Sequence, residues 1–536
     1  MNSGHVVSWF DLPAGRSPSA LLRPLRRAGY IAGSPVVWRE ECLFLETQDG
    51  RLARGGCRLS IRRTGHGAVW HLAGPEGERQ DPFEGAFPFP SLSPDTVGVP
   101  PPATELADGR LLLPLVRLRS LVSDARVQSP SGTVLAFRAE RFIAAPPREG
   151  WPKGARSIGL LTVRLVEGDA DAFLRVITDV RDRLGLSAAT GDACRVALLT
   201  LDLSEPGAPV PDHLRVRPDD TPAVAARKVI GQQAMKMRAN LAGAIEGEDP
   251  EYLHDLRVAT RRLRSALRLF AGVLGPRRSD ALRRDLGWMA QRLGTVRDLD
   301  VFILNLREQA QRLGEADAIA ALLTAELVRQ RQPARVALEA ALTSRRFHAL
   351  MRRLDALASS PPPRPHPGAH GLPVAEIGPV LLEKAQKRAL RLGRTVGPDT
   401  PAADLHRLRI LCKRLRYACE FFREAFGDPA SGADPLADYI RTMVRFQDCL
   451  GEHQDAVTAI GRIQDLAKEM VQHEQVGPEA LLQLGGLIQV QRDIARKRRG
   501  RLVKLWARFD RRSVRKHLGA LKATPSTAGQ GDPTAG

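Results

Sequence analysis

The sequence predicts an α+β multidomain protein, an N-terminal antiparallel β-sheet or barrel followed by an all-α, duplicated helical bundle with pseudo-two-fold symmetry. Three observations lead there. Up to about residue 205 short apolar runs alternate with Gly- and Pro-rich turns, whereas from Thr221 onward apolar residues recur at helical spacing. A length of 536 residues exceeds one ordinary domain. Finally, the stretch His254–Phe270 returns in recognisable form as His406–Phe422.

The charge is as uneven as the pattern. The net charge is +20 and the pI about 10.5. Residues 1–210 hold 25 Lys and Arg against 23 Asp and Glu, so nearly all the surplus lies in the helical part. That part therefore calls for a polyanionic partner, although a high bulk charge also serves solubility. Arg greatly outnumbers Lys; a GC-rich genome gives the same bias, but Arg is also the better fork for phosphate oxygens. The cysteines (Cys42, Cys57, Cys194, Cys412, Cys419, Cys449) are scattered without a CxxC pair, which points to no disulfide framework, no zinc site and a reducing cytoplasm. No basic-then-apolar leader and no run of 18 apolar residues is present, so a soluble cytoplasmic protein without a membrane partner is expected.

In chain order, Ser8–Leu12 reads as a strand, Pro18–Ala28 as a helix and Val36–Trp38 as a further strand. Cys42–Arg63 reads strand, turn, strand, broken by Asp49-Gly50 and Gly55-Gly56. Ala68–Ala73 follows as a strand, and residues 75–104 as a Pro-rich loop. Leu111–Leu121, Thr133–Phe142 and Ile158–Val166 supply more strands, and Asp169–Leu184 a helix capped near Asp169. The domain ranges are then 1–205 for the sheet, 206–221 for a linker, 222–520 for the helices and 521–536 for a disordered tail. Helices are expected at about 222–246, 250–273, 277–313, 315–343 and 345–358, then, beyond a Pro-rich linker starting at Ser359, at about 374–394, 402–426, 433–473 and 479–518. The repeats would be 222–358 and 374–520.

The stretch His254–Phe270 lacks Gly and Pro and is rich in helix formers. At about 100° per residue from His254, the residues Arg257, Arg261, Arg264 and Arg268 fall between about 280° and 340°. Leu256, Ala259, Leu263, Leu267 and Phe270 fall on the opposite side, between about 140° and 220°. One face is core; the other is a column of guanidiniums headed by an imidazole.

At an offset of 152 residues the pattern recurs without gaps: His406, Arg409, Lys413, Arg414 and Arg416 stand where His254, Arg257, Arg261, Arg262 and Arg264 stand. Leu408, Leu415 and Phe422 repeat Leu256, Leu263 and Phe270, but Glu420 replaces Arg268. A second segment, Leu293–Asp300, returns near Leu450–Asp455 at an offset of 157. The helix before each histidine is basic, with Lys236 in one copy and Lys387-Arg388 in the other. Two copies of a several-helix unit imply equivalent faces that meet in the middle.

These four elements, His254–Arg264, Leu293–Asp300, His406–Arg416 and Leu450–Asp455, occur in order and resemble the CHAD family, the conserved-histidine α-helical domain. The resemblance covers about 215–520. It implies two helical bundles about an approximate two-fold with a basic groove between them, binding of inorganic polyphosphate, and polyphosphate granules as a destination. Polyphosphate binding would then fall to His254, Arg257, Arg261, Arg262, Arg264, Arg268, His406, Arg409, Lys413, Arg414, Arg416, Lys236 and Arg388. Arginines three and four residues apart can follow successive phosphates along one helix face, each fork taking two oxygens. A histidine near a helix start can equally cap or pack, yet its repetition in both copies favours function; without a second His or carboxylate at ligand spacing, zinc is not indicated. Gly294 and Gly451 read as sites of close helix packing, and Asp298 and Asp455 as partners of the arginines or as residues that fix helix contacts, with a metal role the weaker reading. The run Arg492–Arg501 is either an extension of the anion surface or a solvated face, the commoner use of a charge run.

The segments Phe44–Arg63 and Trp70–Pro75 resemble the CYTH family, the triphosphate tunnel metalloenzymes, over roughly residues 5–200. The family's acid-x-acid-x-Lys strand is replaced by Val6–Leu12, and its later carboxylates by Thr162 and Arg164. Magnesium needs hard oxygen ligands, so this departure implies a catalytically inactive domain with no catalytic residue, no metal and no cofactor. Arg58, Arg62 and Arg63 could hold an anion or simply form a solvated strand face. The alternatives to polyphosphate binding are a metal-dependent triphosphate or polyphosphate hydrolase and a general nucleic-acid binder. Aromatics at 5% and the lack of a stacking platform leave nucleic acid only as a non-specific ligand. The oligomeric state stays open.

Overall fold

The structure, a computed structural model, describes residues 6–13, 18–75, 77–85, 92–94, 98–147, 150–152, 157–201, 203, 205–207, 210–313, 317–359, 372–397, 399–427, 434–472 and 477–521. Two compact units are present: residues 1–209 with 235–255, and residues 210–234 with 256–536.

The first unit is built on a ten-stranded antiparallel sheet. Its strands are β1 (Val7–Asp11), β2 (Ile31–Ala32), β3 (Val36–Glu46), β4 (Arg58–Thr64), β5 (Gly67–Gly74), β6 (Gly77–Pro82), β7 (Leu113–Gln128), β8 (Val134–Ala145), β9 (Ile158–Glu167) and β10 (Ser187–Ala188). The order is β10-β1-β9-β8-β7-β3-β4-β5-β6, with β2 also on β7. The helices are α1 (Pro18–Arg27), α2 (Arg51–Arg54), α3 (Pro101–Ala107), α4 (Ala170–Leu184) and α5 (Ala193–Thr200). Asp169 caps α4 by accepting from the Ala172 amide at 2.7 Å, as its sequence position suggests. Phe173, Ile177, Val180 and Leu184 of α4 and Leu21, Leu22 and Leu25 of α1 share one core with Phe137, Leu161 and Val163 of the sheet.

Several expected boundaries shift for local reasons. The runs at 36–38 and from 42 form one strand, β3, because the intervening Glu40 and Glu41 find Arg138 and Arg63 as ion-pair partners. Residues 75–104 are not all loop: a polar, half-exposed strand, β6, and the short helix α3 lie there. The Asp49-Gly50 turn runs into the one-turn helix α2, with Gly50 at φ 73°, a conformation that glycine adopts without strain.

The second unit is helical: α6 (Pro222–Glu246), α7 (Pro250–Leu269), α8 (Ala271–Leu274), α9 (Pro276–Leu313), α10 (Asp317–Leu342), α11 (Arg345–Ser359), α12 (Val374–Gly393), α13 (Ala402–Phe426), α14 (Ala437–Gln472), α15 (Pro478–Phe509) and α16 (Arg512–Ala520). Of these, α6 and α7 contribute residues to both units. The expected helix 250–273 is divided at Phe270 and the expected helix 479–518 at Asp510. Most of the Pro-rich linker after Ser359 and the tail after Ala523 fall outside the described residues.

The duplication is visible in the packing. Leu299, Phe302, Ile303 and Leu306 of α9 share a core with Ala459, Ile463, Leu466 and Met470 of α14, the second copy of the same helix. Phe270 and Phe422, equivalent positions, meet each other edge-on with ring centroids 5.9 Å apart. Contact between repeat-equivalent residues is what two copies meeting by a common face require. The six cysteines are all buried, and none of them forms a disulfide. Among the described residues, no helix is long and apolar enough to cross a membrane.

Candidate functional site

Helix α7 begins at Pro250, whose missing amide proton costs nothing in a first turn, and continues through Ala and Leu without a breaker to Leu269. Leu256, Ala259, Leu263, Leu267 and Phe270 are buried, as the wheel requires. On α13 the equivalents Leu408, Leu415 and Phe422 are buried too, with Cys412 and Cys419 beside them. Burying these faces fixes the opposite, cationic faces of both helices.

The structure sorts the cations into two groups. In the first, Arg257 and Arg261 of α7 lie with Arg409, Lys413 and Arg416 of α13. Lys413 carries the strongest mark of this crowding: burial first, then Arg261, Arg409, Arg257 and Arg416, bring its ammonium down to about 7. Burial, then Arg257 and Arg416 against the opposing pull of Tyr417, lower Arg261 below the ordinary guanidinium value. The Nε atoms of Arg261 and Arg409 are buried with no hydrogen-bond partner among the described residues. Asp298 of α9 and Asp455 of α14 border this group. Arg257 reaches Asp298 at 3.4 Å, while burial raises the Asp455 carboxyl against the pull of Arg409 and Lys413.

The second group holds Arg264 and Arg268 of α7, Arg414 of α13, Arg388 of α12 and Arg283 of α9. Partial burial, then Arg268, Arg264, Arg388 and Arg283, depress Arg414, and burial with Arg283 and Arg264 depresses Arg268. Arg283 pairs with Asp280 at 3.0 Å; the others have no carboxylate partner among the described residues.

Four residues named from the sequence, Arg262, Lys236, His254 and His406, belong to neither group. Arg262 turns to Glu420 of α13 at 2.7 Å and lies over the rings of Tyr417 and Phe421. Lys236 and His254 lie on the parts of α6 and α7 that group with the first unit. His254 and His406 are each the fifth residue of their helices, past the capping position. His406 is exposed.

Sequence reasoning missed Arg283, which has no counterpart in the second copy and so leaves no repeat signal. It also missed Tyr417, whose ring lies 5.5 Å from Arg261 and Arg262 and 4.9 Å from Arg416. Of the glycines, Gly451 does not admit a helix backbone but the Arg409 guanidinium, 3.3 Å from where a Cβ would stand, and Gly294 faces open space. In the C-terminal run, Arg498 pairs with Glu452 and Arg499 donates to the Thr400 carbonyl at 2.7 Å, so these two serve the packing of α15.

The first unit holds its own candidate site, a cavity of about 1470 Å³. Alternation along the strands places Glu40, Cys42 and Phe44 of β3, Arg58 and Arg62 of β4, Ser120 and Asp124 of β7, and Arg138 and Glu140 of β8 on its wall. From β1 and β9 come Val7, Trp9, Thr162 and Arg164, so those two strands add no carboxylate. Carboxylates come instead from β3, β6, β7 and β8 and, beyond the strands, from Asp192 and Glu205, and they are tied to arginines. Arg138 pairs with Glu40 and Glu140, which hold its charge more firmly than in an ordinary arginine although burial opposes it. Arg58 pairs with Asp192 at 2.9 Å and with Glu205, and Arg164 lies 3.6 Å from Glu78. The hydrogen bond with His71, then Arg164 against burial, brings the Glu78 carboxyl down to about 2. No group of three or more His, Cys, Asp or Glu among the described residues is arranged to hold a metal ion.

Comparison with known proteins agrees with the helical architecture. Residues 228–464 match the CHAD domain family, so the second part of the chain contains a CHAD domain. An uncharacterized protein of Mycobacterium tuberculosis is 27% identical over 508 residues, covering 89% of this chain and 90% of that protein. Among solved structures, the CHAD domain from the plant Ricinus communis is 29% identical, with a TM-score of 0.43 over 57% of this chain and 94% of that one. An enzyme from Hippeastrum, described as an adenylyl cyclase with a dominant triphosphatase activity, is 14% identical, with a TM-score of 0.21 over 37% of this chain and 96% of that one.

Proposed function

We propose that the protein binds inorganic polyphosphate, without turning it over, through the cationic faces of α7 and α13, and that this binding carries it to polyphosphate granules in the cytoplasm. The observation that carries the reading is the concentration of Arg257, Arg261, Arg409, Lys413 and Arg416 in one place, strong enough to bring Lys413 to about 7. Like charges held this close destabilise the empty protein and are relieved by a ligand of closely spaced negative charge. A flexible polyanion supplies about one charge per phosphate and releases counterions as it binds.

Each cation engaged by a flexible chain adds roughly −0.7 to the log–log salt slope, taking the coefficient for single-stranded polyanions, so Arg257, Arg261, Arg409 and Lys413 alone set a slope of at least about −3. Affinity for long-chain polyphosphate should then fall on the order of 100-fold between 50 and 200 mM salt. Calorimetric titration of the full chain tests this. Reversal of Arg257, Arg261, Arg409 and Lys413 to Glu should abolish binding; unchanged affinity in that variant refutes the reading. Competition by DNA or RNA at equal charge should be weaker than self-competition by polyphosphate.

The cavity of the first unit favours a second reading, hydrolysis of a triphosphate, because carboxylates and arginines do line it. The ion pairs of Arg138, Arg58 and Arg164 argue against it, since each guanidinium already has an internal anion. Incubation with inorganic triphosphate and Mg²⁺ or Mn²⁺ should release no phosphate above an enzyme-free blank; release that is lost in Arg138→Ala would establish this second reading.

A further inference from the structure

The two copies differ where it matters most for a linear ligand. Aligning the repeats at their sequence offset of 152 residues sets Tyr417 against Ser265 and Glu420 against Arg268. On the second copy's side, Glu420 pairs with Arg262 and with Arg416, each at 2.7 Å. Arg416 is held further by Gln447, whose side-chain oxygen accepts from its Nε at 3.0 Å. The Tyr417 ring lies under the same two guanidiniums. Here a carboxylate, an amide and an aromatic face already engage both guanidiniums, although the Arg262 Nε itself has no hydrogen-bond partner among the described residues.

On the first copy's side the equivalent places hold a small hydroxyl and a fifth arginine. Ser265 spends its hydroxyl on the Arg261 carbonyl at 3.1 Å. Arg268, with Arg264, Arg388 and Arg414, meets no carboxylate among the described residues; burial and then Arg268, Arg264, Arg388 and Arg283 depress Arg414, and burial with Arg283 and Arg264 depresses Arg268. The repeat is thus kept in the apolar positions of α7 and α13 and broken in their charges.

We propose that the polyanion site is one-ended. Glu420 and Tyr417 close it beside Arg262 and Arg416, and Arg264, Arg268, Arg388 and Arg414 form the open end at which further phosphates are engaged. Glu420 is then a specificity-determining residue that limits how many phosphates the site takes, and the ligand class is a linear oligo- or polyphosphate that extends past the open end. This inference rests on the polyphosphate reading given above.

The test is the salt dependence of affinity for long-chain polyphosphate, measured on the full chain with its melting followed by circular dichroism. Glu420→Gln keeps the shape and removes the charge, freeing up to two guanidiniums. The slope of log affinity against log salt should steepen by roughly 0.7 to 1.4. Arg268→Glu, at an exposed position, closes the other end and should make the slope shallower by a similar amount. The double exchange R268E/E420R moves the closed end to the other copy and should return the slope to about that of the natural protein.

Binding by the natural protein with slopes unchanged in both single variants overturns the one-ended site while leaving polyphosphate binding intact. Absence of binding by the natural protein overturns the parent reading instead. Should E420Q not fold, R268E and the double exchange decide the matter alone.

Discussion

Raising the pH from 7 to 9 should weaken polyphosphate binding while strengthening the fold, and Lys413 is the reason for both. In the empty protein its ammonium titrates at about 7, because burial and four neighbouring cations oppose the charge. Phosphate oxygens laid against those neighbours remove the repulsion, and their own negative charge opposes the larger effect of burial, so the group moves back toward an ordinary lysine value of about 10.4 as its upper limit. Binding above pH 7 therefore takes up a proton. The protonated fraction of free Lys413 falls from about one half at pH 7 to about one hundredth at pH 9, so affinity should drop by up to roughly 50-fold. Lys413 is only partly buried, and solvent screening makes a tenfold drop the lower end of the expected range.

Stability moves the other way. The folded value lies below the unfolded one, so between about pH 7 and 10.4 the unfolded chain holds the proton that the folded chain lacks, and stability rises with pH across that window. Calorimetry of the full chain with long polyphosphate, repeated at pH 8 in buffers of different ionisation enthalpy, should show close to one proton taken up. Lys413→Gln should abolish that uptake and flatten both pH trends. Affinity that is flat from pH 7 to 9, or proton uptake that persists in K413Q, refutes the assignment.

Two further predictions concern glycines. In Gly393→Ala the new Cβ would stand 1.8 Å from the Trp506 ring, so α12 and α15 must move apart; a loss of at least about 1–3 kcal/mol is expected in chemical denaturation. Gly294 and Gly451 occupy corresponding places on α9 and α14 but should part company. Gly294→Ala points into open space within a helix and should stabilise by about 0.5–1 kcal/mol without changing affinity. Gly451→Ala instead displaces the Arg409 guanidinium and should lower polyphosphate affinity severalfold, readable in the same titration.

The helical half was largely legible in the sequence because its signal is carried twice. The offset of 152 residues fixed which faces of α7 and α13 were core and which were cationic, and Leu256, Leu263, Leu408 and Leu415 are buried accordingly. The sorting of the cations was not legible. Whether Arg262 joins the column or turns to Glu420 depends on how two helices cross, and no periodicity within one helix encodes that. The sheet shows the same limit more strongly. Each strand's alternation says which residues share a face, but the pairing of Arg138 with Glu40 spans from β8 to β3 across the intervening β7, a relation set by strand order. Strand β6 escaped notice because GERQDP has no apolar alternation at all, its residues being half-buried or exposed at the end of the sheet.

The contact between Phe270 and Phe422 ties the two copies into a single inheritance. Each ring is the other's counterpart, so neither repeat can drift in size at this position without the other answering. Severed from its twin, one repeat would present an uncovered phenyl ring on a face already shaped to receive its own likeness. Two such halves would have every reason to find each other as a symmetric pair, in which both positions corresponding to Glu420 and Arg268 become the same residue. The joined chain is what permits one end of the groove to differ from the other: duplication within a single polypeptide is the condition for asymmetry here.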